Sequence, residues 1–314
     1  MKCKITNCKL KPFMSFGKMP IANGFLKKSN FKNEFLYKLE VGFSEKLSLF
    51  QINNHPKPSQ MFNKNYPFFS GSSKGMINHF HKFSKWIKKN YGRKLNNLVE
   101  IGSNDGTFLK NFQKDETNII GFEPSKNVAD FAKKKGIKTI NKFFTFNNVK
   151  KLRRLKNQID IISAANVICH VPNLKNLIKG VDFLLNDDGL FIFEEPYLGS
   201  MYKKVSYDQI YDEHIFIFSV SSVKKIFNLF GFHLIDVIPQ KTHGGSMRYV
   251  ISRNNNVKES VKKYLSIEKK NDVDNFKGCK RFKLNCEKSK KELVSKIKKL
   301  KKQNKKIAGY AATS

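Results

Sequence analysis

The spacing of apolar residues divides the chain into stretches with different predicted structures. Residues 1–72 show no long period and are irregular, with short apolar runs such as 37–43 and 46–52 that indicate strands. Between residues 75 and 91, apolar side chains recur every three or four positions, which predicts an amphipathic helix. The apolar face of this helix consists of Ile77, Phe80, Phe83, Trp86 and Ile87.

From residue 98 onward, short apolar runs alternate with helical patterns. The runs predict strands at 98–102, 119–122, 138–141, 159–164 and 190–193. A helix is predicted to begin at 108–112, and further helices at 127–135, 174–185 and 222–230. This alternation indicates repeated βαβ units and a mainly parallel, doubly wound sheet. Two more runs, 233–237 and 247–251, are predicted to close the sheet as an antiparallel pair.

The pattern changes again after residue 256. A thin apolar stripe runs through residues 257–305 and predicts a long helical connector. The final residues, 307–314 (IAGYAATS), predict a strand that enters a turn.

The composition supports a folded protein with a sizeable core. The chain has 314 residues, of which 40% are hydrophobic and 29 are Phe. No uncharged apolar run reaches the roughly 18 residues that a membrane span needs, and the first residues lack the apolar region of a signal peptide. The five Cys are too few for a secreted disulfide scaffold, so a reducing, cytoplasmic location is predicted.

The formal net charge of +35 raises the question of a nucleic-acid or membrane partner. However, the chain has 54 Lys and only 6 Arg, and the charge is spread along its length. A phosphate-reading surface would more often use the planar fork of Arg. We therefore interpret the charge as solvated lysine faces, with neither a nucleic acid nor a membrane expected as partner. An affinity for anionic substrates is compatible with either interpretation.

The segment 99–112 (VEIGSNDGTFLKNF) has the features of a cofactor-binding loop. A strand ends at Gly102, and a turn containing Asp105 and Gly106 opens a helix whose free N–H groups can face a ligand. The next strand ends at Glu123, where an acidic side chain can hold a ribose diol. The E-x-G-x-x-x-G form resembles the nucleoside-binding loop of class I methyltransferases that use S-adenosyl-L-methionine. The resemblance assigns cofactor binding to Glu100, Gly102, Asn104, Asp105, Gly106, Glu123, Pro124 and Asn166.

Two of the neighbouring assignments stay open. Asn166 follows the fourth strand and either faces the methionine part of the cofactor or caps the following turn. Phe143 and Phe144 either pack against adenine or belong to the core.

Six segments, of which the first is the start of the cofactor-binding segment above, occur in an order that resembles the sugar C-methyltransferase family. They are VEIGSNDGTFL, GFEPSKNVADFAKKKGI, NVICHVPNL, DDGLFIFEEPYL, YDQIYDEHIFIFS and THGGSMRYVI. Members of that family methylate a carbon of nucleotide-linked keto-deoxysugars. The resemblance implies an α/β fold: a class I methyltransferase Rossmann-like, doubly wound sheet, with a small irregular N-terminal domain and a C-terminal helical extension.

The resemblance also implies domain boundaries. We expect a zinc-domain-like unit at 1–72, an S-adenosylmethionine-binding methyltransferase domain at 73–256 and a helical connector at 257–306. Residues 307–314 would begin a truncated C-terminal Rossmann-like domain, and a separately encoded C-terminal domain would then be a partner.

The zinc-domain resemblance lacks half of its ligands. The family uses two Cys pairs, but here only Cys3 and Cys8 remain, and Ser44 and Leu47 stand where the second pair would be. Two thiolates cannot close a tetrahedral zinc site without other ligands. The nearest further candidate, His55, is interpreted as a surface-loop residue, so no bound metal is expected.

Carbon methylation requires removal of a proton next to a ketone, which calls for a general base and a donor to the enolate. By resemblance, His214 in the YDEH segment is the base, Tyr211 contacts the sugar or its enolate, and Glu213 orients the sugar hydroxyls. A purely structural Tyr-His pair is the alternative. His170, after the fourth strand, and Tyr66 are further catalytic candidates.

A Gly-rich turn between the last two strands is the candidate substrate site. Its residues are His243, Gly244, Gly245, Ser246 and Arg248, and they either hold the sugar or its diphosphate or simply form a hairpin. The remaining candidates His79, His81 and His233 are interpreted as structural.

Two other functions compete with sugar C-methylation. One is a small-molecule O- or N-methyltransferase, because the fold alone does not fix the acceptor. The other is a basic RNA-binding protein with a vestigial cofactor fold. The YDEH segment favours carbon, since an oxygen or nitrogen acceptor needs no carbon acid to be deprotonated.

Overall fold

The computed structural model describes residues 1–22, 26–62, 64, 66–91 and 95–309. Within these ranges the strands are β1 (Lys11–Pro20), β2 (Leu36–Ser44), β3 (Leu49–Ile52), β4 (Asn97–Ile101), β5 (Asn118–Phe122), β6 (Thr139–Ile140), β7 (Ile159–Ala165), β8 (Leu185–Pro196), β9 (Phe216–Ile217), β10 (His233–Gln240) and β11 (Ser246–Ser252). The α-helices are α1 (Pro58–Met61), α2 (Lys74–Tyr91), α3 (Lys126–Lys134), α4 (Phe146–Val149), α5 (Leu174–Leu184), α6 (Leu198–Lys204), α7 (Val220–Asn228), α8 (Glu259–Lys270) and α9 (Phe276–Lys302).

A seven-stranded sheet with the order β10-β11-β8-β7-β4-β5-β6 forms the centre of the molecule. Strands β4 to β8 within it pair in parallel, whereas β11 is antiparallel to both β8 and β10. The strand order reverses next to β4, whose neighbours are β5 and β7. This is the doubly wound sheet, with its antiparallel pair, that the alternating pattern predicts, and it agrees with the class I methyltransferase Rossmann-like fold that the resemblance implies.

Alternate residues of the sheet pack against helices on its two faces. On one face, Ile161 and Ile192 belong to a core cluster with Phe80 and Phe83 of α2. On the other face, Ile162, Phe191 and Phe193 pack in a cluster with residues of α5 and α7. Both faces are therefore buried, as expected for parallel strands connected by helices.

The N-terminal region is more regular than predicted. Strands β1, β2, β3 and β9 form an antiparallel sheet in this order, which we call the N-terminal sheet. Strand β9 comes from the second half of the chain and pairs with β3 through Ile217 and Phe216. A strand of two residues has no sequence pattern of its own and forms because it pairs with β3.

Two helix predictions were wrong in detail. The end of the segment 99–112 forms only a short 3-10 helix, Leu109–Phe112, and not the start of an α-helix. Here the Asn111 side chain donates to the carbonyls of Thr107 and Phe108, which competes with regular helix bonding. The predicted connector is two helices, because Asn275 caps α9 by accepting from Lys277 N, and Asp272 before it has φ +54°.

Two further segments depart from their predicted limits. Strand β8 begins at Leu185, so that Asp187, Asp188 and Gly189 lie inside it and not in a preceding turn. At the end of the chain, residues 307–309 are exposed and without regular structure, and the predicted strand and turn at 310–314 lie outside the described residues. In the part of the chain that is described, no helix is long and apolar enough to cross a membrane.

Candidate active site

The carboxyl ends of the parallel strands open into one cavity of about 1130 Å³. Ligands bind at this edge in doubly wound sheets, near the point where the strand order reverses. The cavity is lined by most of the predicted site residues: Tyr66, Glu100, Gly102, Asn104, Glu123, Pro124, Asn166, His170, Tyr211, Glu213, His214 and His243. Phe143 and Phe144 also line it. The cofactor candidates and the catalytic candidates therefore share one space.

The loop after β4 forms the cofactor side of this cavity. Gly102 has φ +66°, and a Cβ there would lie 2.4 Å from a methyl carbon of Val167, so only glycine fits. At the end of β5, the buried carboxylate of Glu123 accepts from Ser125 N (2.7 Å) and from Asn104 N (3.1 Å). Glu123 is thus fixed by two backbone donors, and its remaining lone pairs are available to the hydroxyls of a ribose.

Several buried polar atoms at the cavity have no hydrogen-bond partner among the described residues. They are Glu100 Oε2, Ser103 Oγ, Asn166 Oδ1 and His170 Nε2. Burial, followed by the nearby charges of Asp105 and Glu123, raises the pKa of Glu100 well above its ordinary value. Buried polar atoms without partners are costly, so this wall fits a polar ligand such as S-adenosylmethionine.

Asp105 and Gly106 lie outside the cavity lining and act on the loop itself. Asp105 accepts from Thr107 Oγ1 (2.6 Å) and, through its other oxygen, from Gly71 N (3.1 Å). Asn104 likewise accepts from Ser70 N (2.8 Å). The cofactor loop therefore holds the segment 66–72, which covers the cavity and carries Tyr66, and we call this segment the roof.

The YDEH segment lines another side of the cavity and carries the residues predicted to be catalytic. His214 Nδ1 lies 2.8 Å from the carbonyl oxygen of Gln209, which can only accept, so Nδ1 carries the proton. The other nitrogen, Nε2, lies 3.1 Å from the Tyr211 hydroxyl. Burial lowers the pKa of His214 to about 4, which keeps the ring neutral near pH 7. In this tautomer Nε2 is unprotonated and accepts from the Tyr211 hydroxyl, and an unprotonated imidazole nitrogen is the form that can take up a proton.

A stack of rings continues from this histidine. The His170 ring stacks on the His214 ring with centroids 5.4 Å apart, and the Phe62 ring also stacks on His170, with centroids 5.5 Å apart. Burial, followed by the charge of His214, lowers the pKa of His170 well below its ordinary value. Tyr66 lies 5.5 Å from Phe62, and burial raises the pKa of its hydroxyl. The part played by Phe62 was not predicted, because a single aromatic in an irregular segment carries no signal.

The Gly-rich turn is only partly at the cavity. His243 lines it, with φ +48° and Nε2 3.0 Å from Asn166 Nδ2. The carbonyl of Gly244 accepts from Lys204, and Ser246 Oγ donates to Thr242 O (3.1 Å). The structure does not bring Gly244, Ser246 or Arg248 to the cavity lining, so contact with a substrate at these positions stays a prediction.

Arg248 instead belongs to a buried ion network behind the cavity. Its Nη2 lies 2.5 Å from Glu194 Oε1, and its guanidinium stacks over the ring of Phe83 at 3.9 Å. His79 Nε2 contacts the second Glu194 oxygen at 2.5 Å. Burial raises the pKa of Glu194, but His79 and Arg248 outweigh it and the net pKa is lowered. His79 is thus structural, as the sequence interpretation has it, and helix α2 is tied to β8 and β11.

The residues of the N-terminal sheet do not fit a closed zinc site. Cys3 is buried and Cys8 is exposed, and among the described residues no third His, Cys, Asp or Glu ligand joins them. Ser44 Oγ accepts from Leu47 N at 3.4 Å, so a turn forms at the positions where the resemblance would place the second Cys pair. The buried Gln51 amide bridges Lys4 N (3.0 Å) and Lys2 O (3.2 Å), which connects the Cys3–Cys8 turn to β3.

Family models match nearly the whole chain. A model described as "Methyltransferase domain" matches residues 75–237, one described as "C-methyltransferase C-terminal domain" matches 241–314, and one described as "Putative zinc binding domain" matches 3–62. The chain belongs to the S-adenosylmethionine-dependent C-methyltransferase family. This C-methyltransferase is 26% identical over 304 residues to C-methyltransferase NovU of Streptomyces niveus. The aligned region covers 95% of the chain and 72% of NovU.

Two solved structures resemble part of this chain. The PH0226 protein of Pyrococcus horikoshii OT3 matches 60% of the chain and 95% of its own, with 13% identity and a TM-score of 0.46. The magnesium protoporphyrin IX methyltransferase ChlM of Synechocystis PCC 6803 with bound S-adenosylmethionine matches 57% of the chain and 80% of its own, with 13% identity and a TM-score of 0.42.

Proposed function

We propose that this C-methyltransferase methylates a carbon of a nucleotide-linked keto-deoxysugar through an enolate formed by His214. The observation that carries the proposal is the neutral His214–Tyr211 pair in the same cavity as the Glu123 loop. Similarity to NovU, whose name gives C-methylation, supports carbon as the acceptor atom. The resemblance to the sugar C-methyltransferase family supplies the substrate class.

The residues of the site suggest the order of proton movements. His214 Nε2 takes the proton from the carbon beside the ketone, and the pair of electrons from that C–H bond forms the enolate. The Tyr211 hydroxyl, which lies beside Nε2, turns to donate to the enolate oxygen. When bound, S-adenosylmethionine supplies an electrophilic methyl group for the new carbon–carbon bond. Glu213, Tyr66 and His170 surround the same space and would orient the sugar.

The test is exchange of the sugar α-proton with deuterated solvent while S-adenosylhomocysteine occupies the cofactor site. Wild-type protein should exchange the proton, and His214→Ala should slow both exchange and turnover by about 10²–10⁴. The matched control is His81→Ala, since His81 is an exposed histidine of α2 outside the cavity. Exchange at the wild-type rate in His214→Ala would exclude this base. Methylation without any exchange by the wild type would instead favour the O- or N-acceptor alternative.

The same proposal covers the metal and the partners. We propose that the N-terminal sheet folds without zinc. The hydrogen bonds of the Gln51 side chain and the buried side chain of Leu47 stabilise it where the family has a second ligand pair. A small anionic sugar nucleotide, and not a nucleic acid or a membrane, is the proposed partner, and the cytoplasm is the proposed location.

A further inference from the structure

The loop 166–170 brings two side chains to the cavity in an unusual conformation. It follows β7 and carries Asn166 and His170, and Asn166 has φ +55°, which is uncommon for a residue other than glycine. Asn166 N donates to Glu194 O at 2.8 Å. The Val167 side chain packs directly against Gly102 of the cofactor loop. A shift of this loop would therefore move both His170 and one wall of the cofactor site.

A second buried carboxylate, Glu195 of β8, lies directly behind this loop. It is fully buried, and its Oε1 accepts from Val167 N (3.0 Å) and Ile168 N (2.6 Å). Glu195 does not line the cavity, and the Cys169 thiol lies next to it. Burial raises the pKa of Glu195 to about 7, so its carboxyl group retains a proton far more readily than an ordinary glutamate.

We propose that Glu195 is a positioning residue that holds the loop 166–170 so that His170 stays stacked on His214 and Asn166 faces the cofactor. One oxygen gathers two consecutive backbone N–H groups, and these two groups precede His170 by two and three residues. Without this acceptor, two buried N–H groups would have no partner, and the loop could pair them only by changing shape.

Three variants separate the hydrogen-bond role from the mere presence of a polar group. Glu195→Gln keeps an acceptor oxygen of nearly the same reach, Glu195→Asp withdraws it by one methylene, and Glu195→Leu removes it. The matched control is Glu268→Gln, because Glu268 is equally buried and accepts from Val220 N and Ser221 N at the start of α7, away from this loop. Glu195→Asp keeps the test decisive should Glu195→Leu fail to fold.

Three measurements are made on the full chain: S-adenosylhomocysteine affinity by calorimetry, the imidazole NMR signals of His170 and His214, and turnover of the keto-sugar nucleotide. Glu195→Gln should remain within about threefold of wild type in affinity and turnover, with unchanged imidazole signals. Glu195→Leu should lose turnover by about 10- to 100-fold, the equivalent of leaving buried donors unpaired. Its imidazole signals should shift, and Glu195→Asp should change in the same direction by less.

The turnover measurement rests on the proposed function, because it uses the keto-sugar nucleotide as substrate, whereas the calorimetry and the NMR measurements do not. A wild-type protein that binds S-adenosylhomocysteine but never turns over the sugar would contradict the proposed function and leave the other two arms to decide the role of Glu195. Wild-type imidazole signals and cofactor affinity in both Glu195→Leu and Glu195→Asp would overturn the positioning role. So would a folded Glu195→Gln that is as impaired as Glu195→Leu, since it retains the acceptor.

Discussion

At the scale of single residues, the environment of His214 sets the chemistry available to the site. An exposed histidine is partly protonated near neutral pH, because its ordinary pKa is about 6.5. Burial removes the stabilisation of the charged ring by water, while the Gln209 carbonyl holds the proton on Nδ1. The basic nitrogen therefore faces Tyr211 over the whole physiological pH range.

This environment predicts the titration of His214. In the folded protein its imidazole should titrate near pH 4, as followed by NMR with His214→Gln to assign the signals. Because this pKa is lowered on folding, the stability that neutral His214 contributes is present above about pH 6.5 and is lost as the pH falls towards 4. A His214 titration near pH 6.5 would mean that the ring is hydrated and that the described burial is wrong.

A second prediction at this scale concerns Glu123 and the affinity for the cofactor. Its carboxylate joins two backbone donors and faces the cavity, so Glu123→Ala removes both the loop contacts and the proposed ribose contact. S-adenosylhomocysteine affinity should fall by about 10- to 100-fold, corresponding to roughly 1.5–3 kcal/mol for hydrogen bonds to a charged group. Calorimetry on Glu123→Ala and on the exposed control Glu116→Ala decides this. Equal affinities in the two variants would remove Glu123 from the site.

The site residues that the sequence predicted and those that it missed differ in which interactions determine their positions. Gly102 and Glu123 follow directly from strand ends, so their place at the sheet edge depends on local pattern alone. Phe62 and Glu195 act through contacts with His170 and Val167, more than 25 positions away, which no local pattern encodes. The pairing of Arg248 with Glu194 likewise depends on the register of β8 and β11.

At the scale of elements, the same distinction holds. Most strands and helices of the central sheet were predicted because each has a pattern of its own, and they lie within a few residues of their expected limits. The exceptions are β8, which begins five residues early, and the helix expected at 108–112. The break between α8 and α9 depends on the Asn275 cap, and β9 depends on β3. The domain boundaries at 72, 256 and 306 stay predictions, since β9 joins the N-terminal sheet from within the second of these domains.

The roof gives an element-scale prediction through two neighbouring glycines. A Cβ at Gly71 would lie 2.5 Å from Asp105 Oδ2 and 2.8 Å from Thr107 Oγ1, whereas at Gly75 it would meet only Ser73 Oγ at 3.6 Å. Gly71→Ala should therefore push the roof from the cofactor loop, and overpacking of this kind costs about 1–3 kcal/mol. We expect S-adenosylhomocysteine affinity to fall in Gly71→Ala and to be unchanged in Gly75→Ala. Unchanged affinity in Gly71→Ala would show that the roof does not restrain the cofactor loop.

At the scale of the whole molecule, the N-terminal sheet supports the catalytic segment. Strand β9 begins two residues after His214, and Ile52 N donates to Ile215 O at 2.9 Å. A second contact comes from the residues that follow β1, where Ala22 N donates to the buried Asp212 (3.2 Å). Residues 212–217 are thus tied to the N-terminal sheet, so we expect the conformation of the Cys3–Cys8 region to influence turnover.

This dependence makes the metal content of the N-terminal sheet a prediction about the whole enzyme. If the Gln51 hydrogen bonds stabilise the N-terminal sheet in place of the missing ligand pair, purified protein should carry far less than one zinc per chain. A chelator should then leave its melting temperature and turnover unchanged.

Gln51→Leu should destabilise the fold by about 1–3 kcal/mol, since it removes two buried hydrogen bonds to the backbone. Asn54→Leu is the control and should have little effect, because Asn54 is exposed and its side chain makes only long bonds, to Lys38 O and from Asn53 Nδ2, both at 3.4 Å. Elemental analysis and thermal unfolding check both statements together. Stoichiometric zinc that resists dialysis, with a melting temperature that falls on chelation, would show that Cys3 and Cys8 recruit further ligands and that the sheet supporting His214 depends on metal.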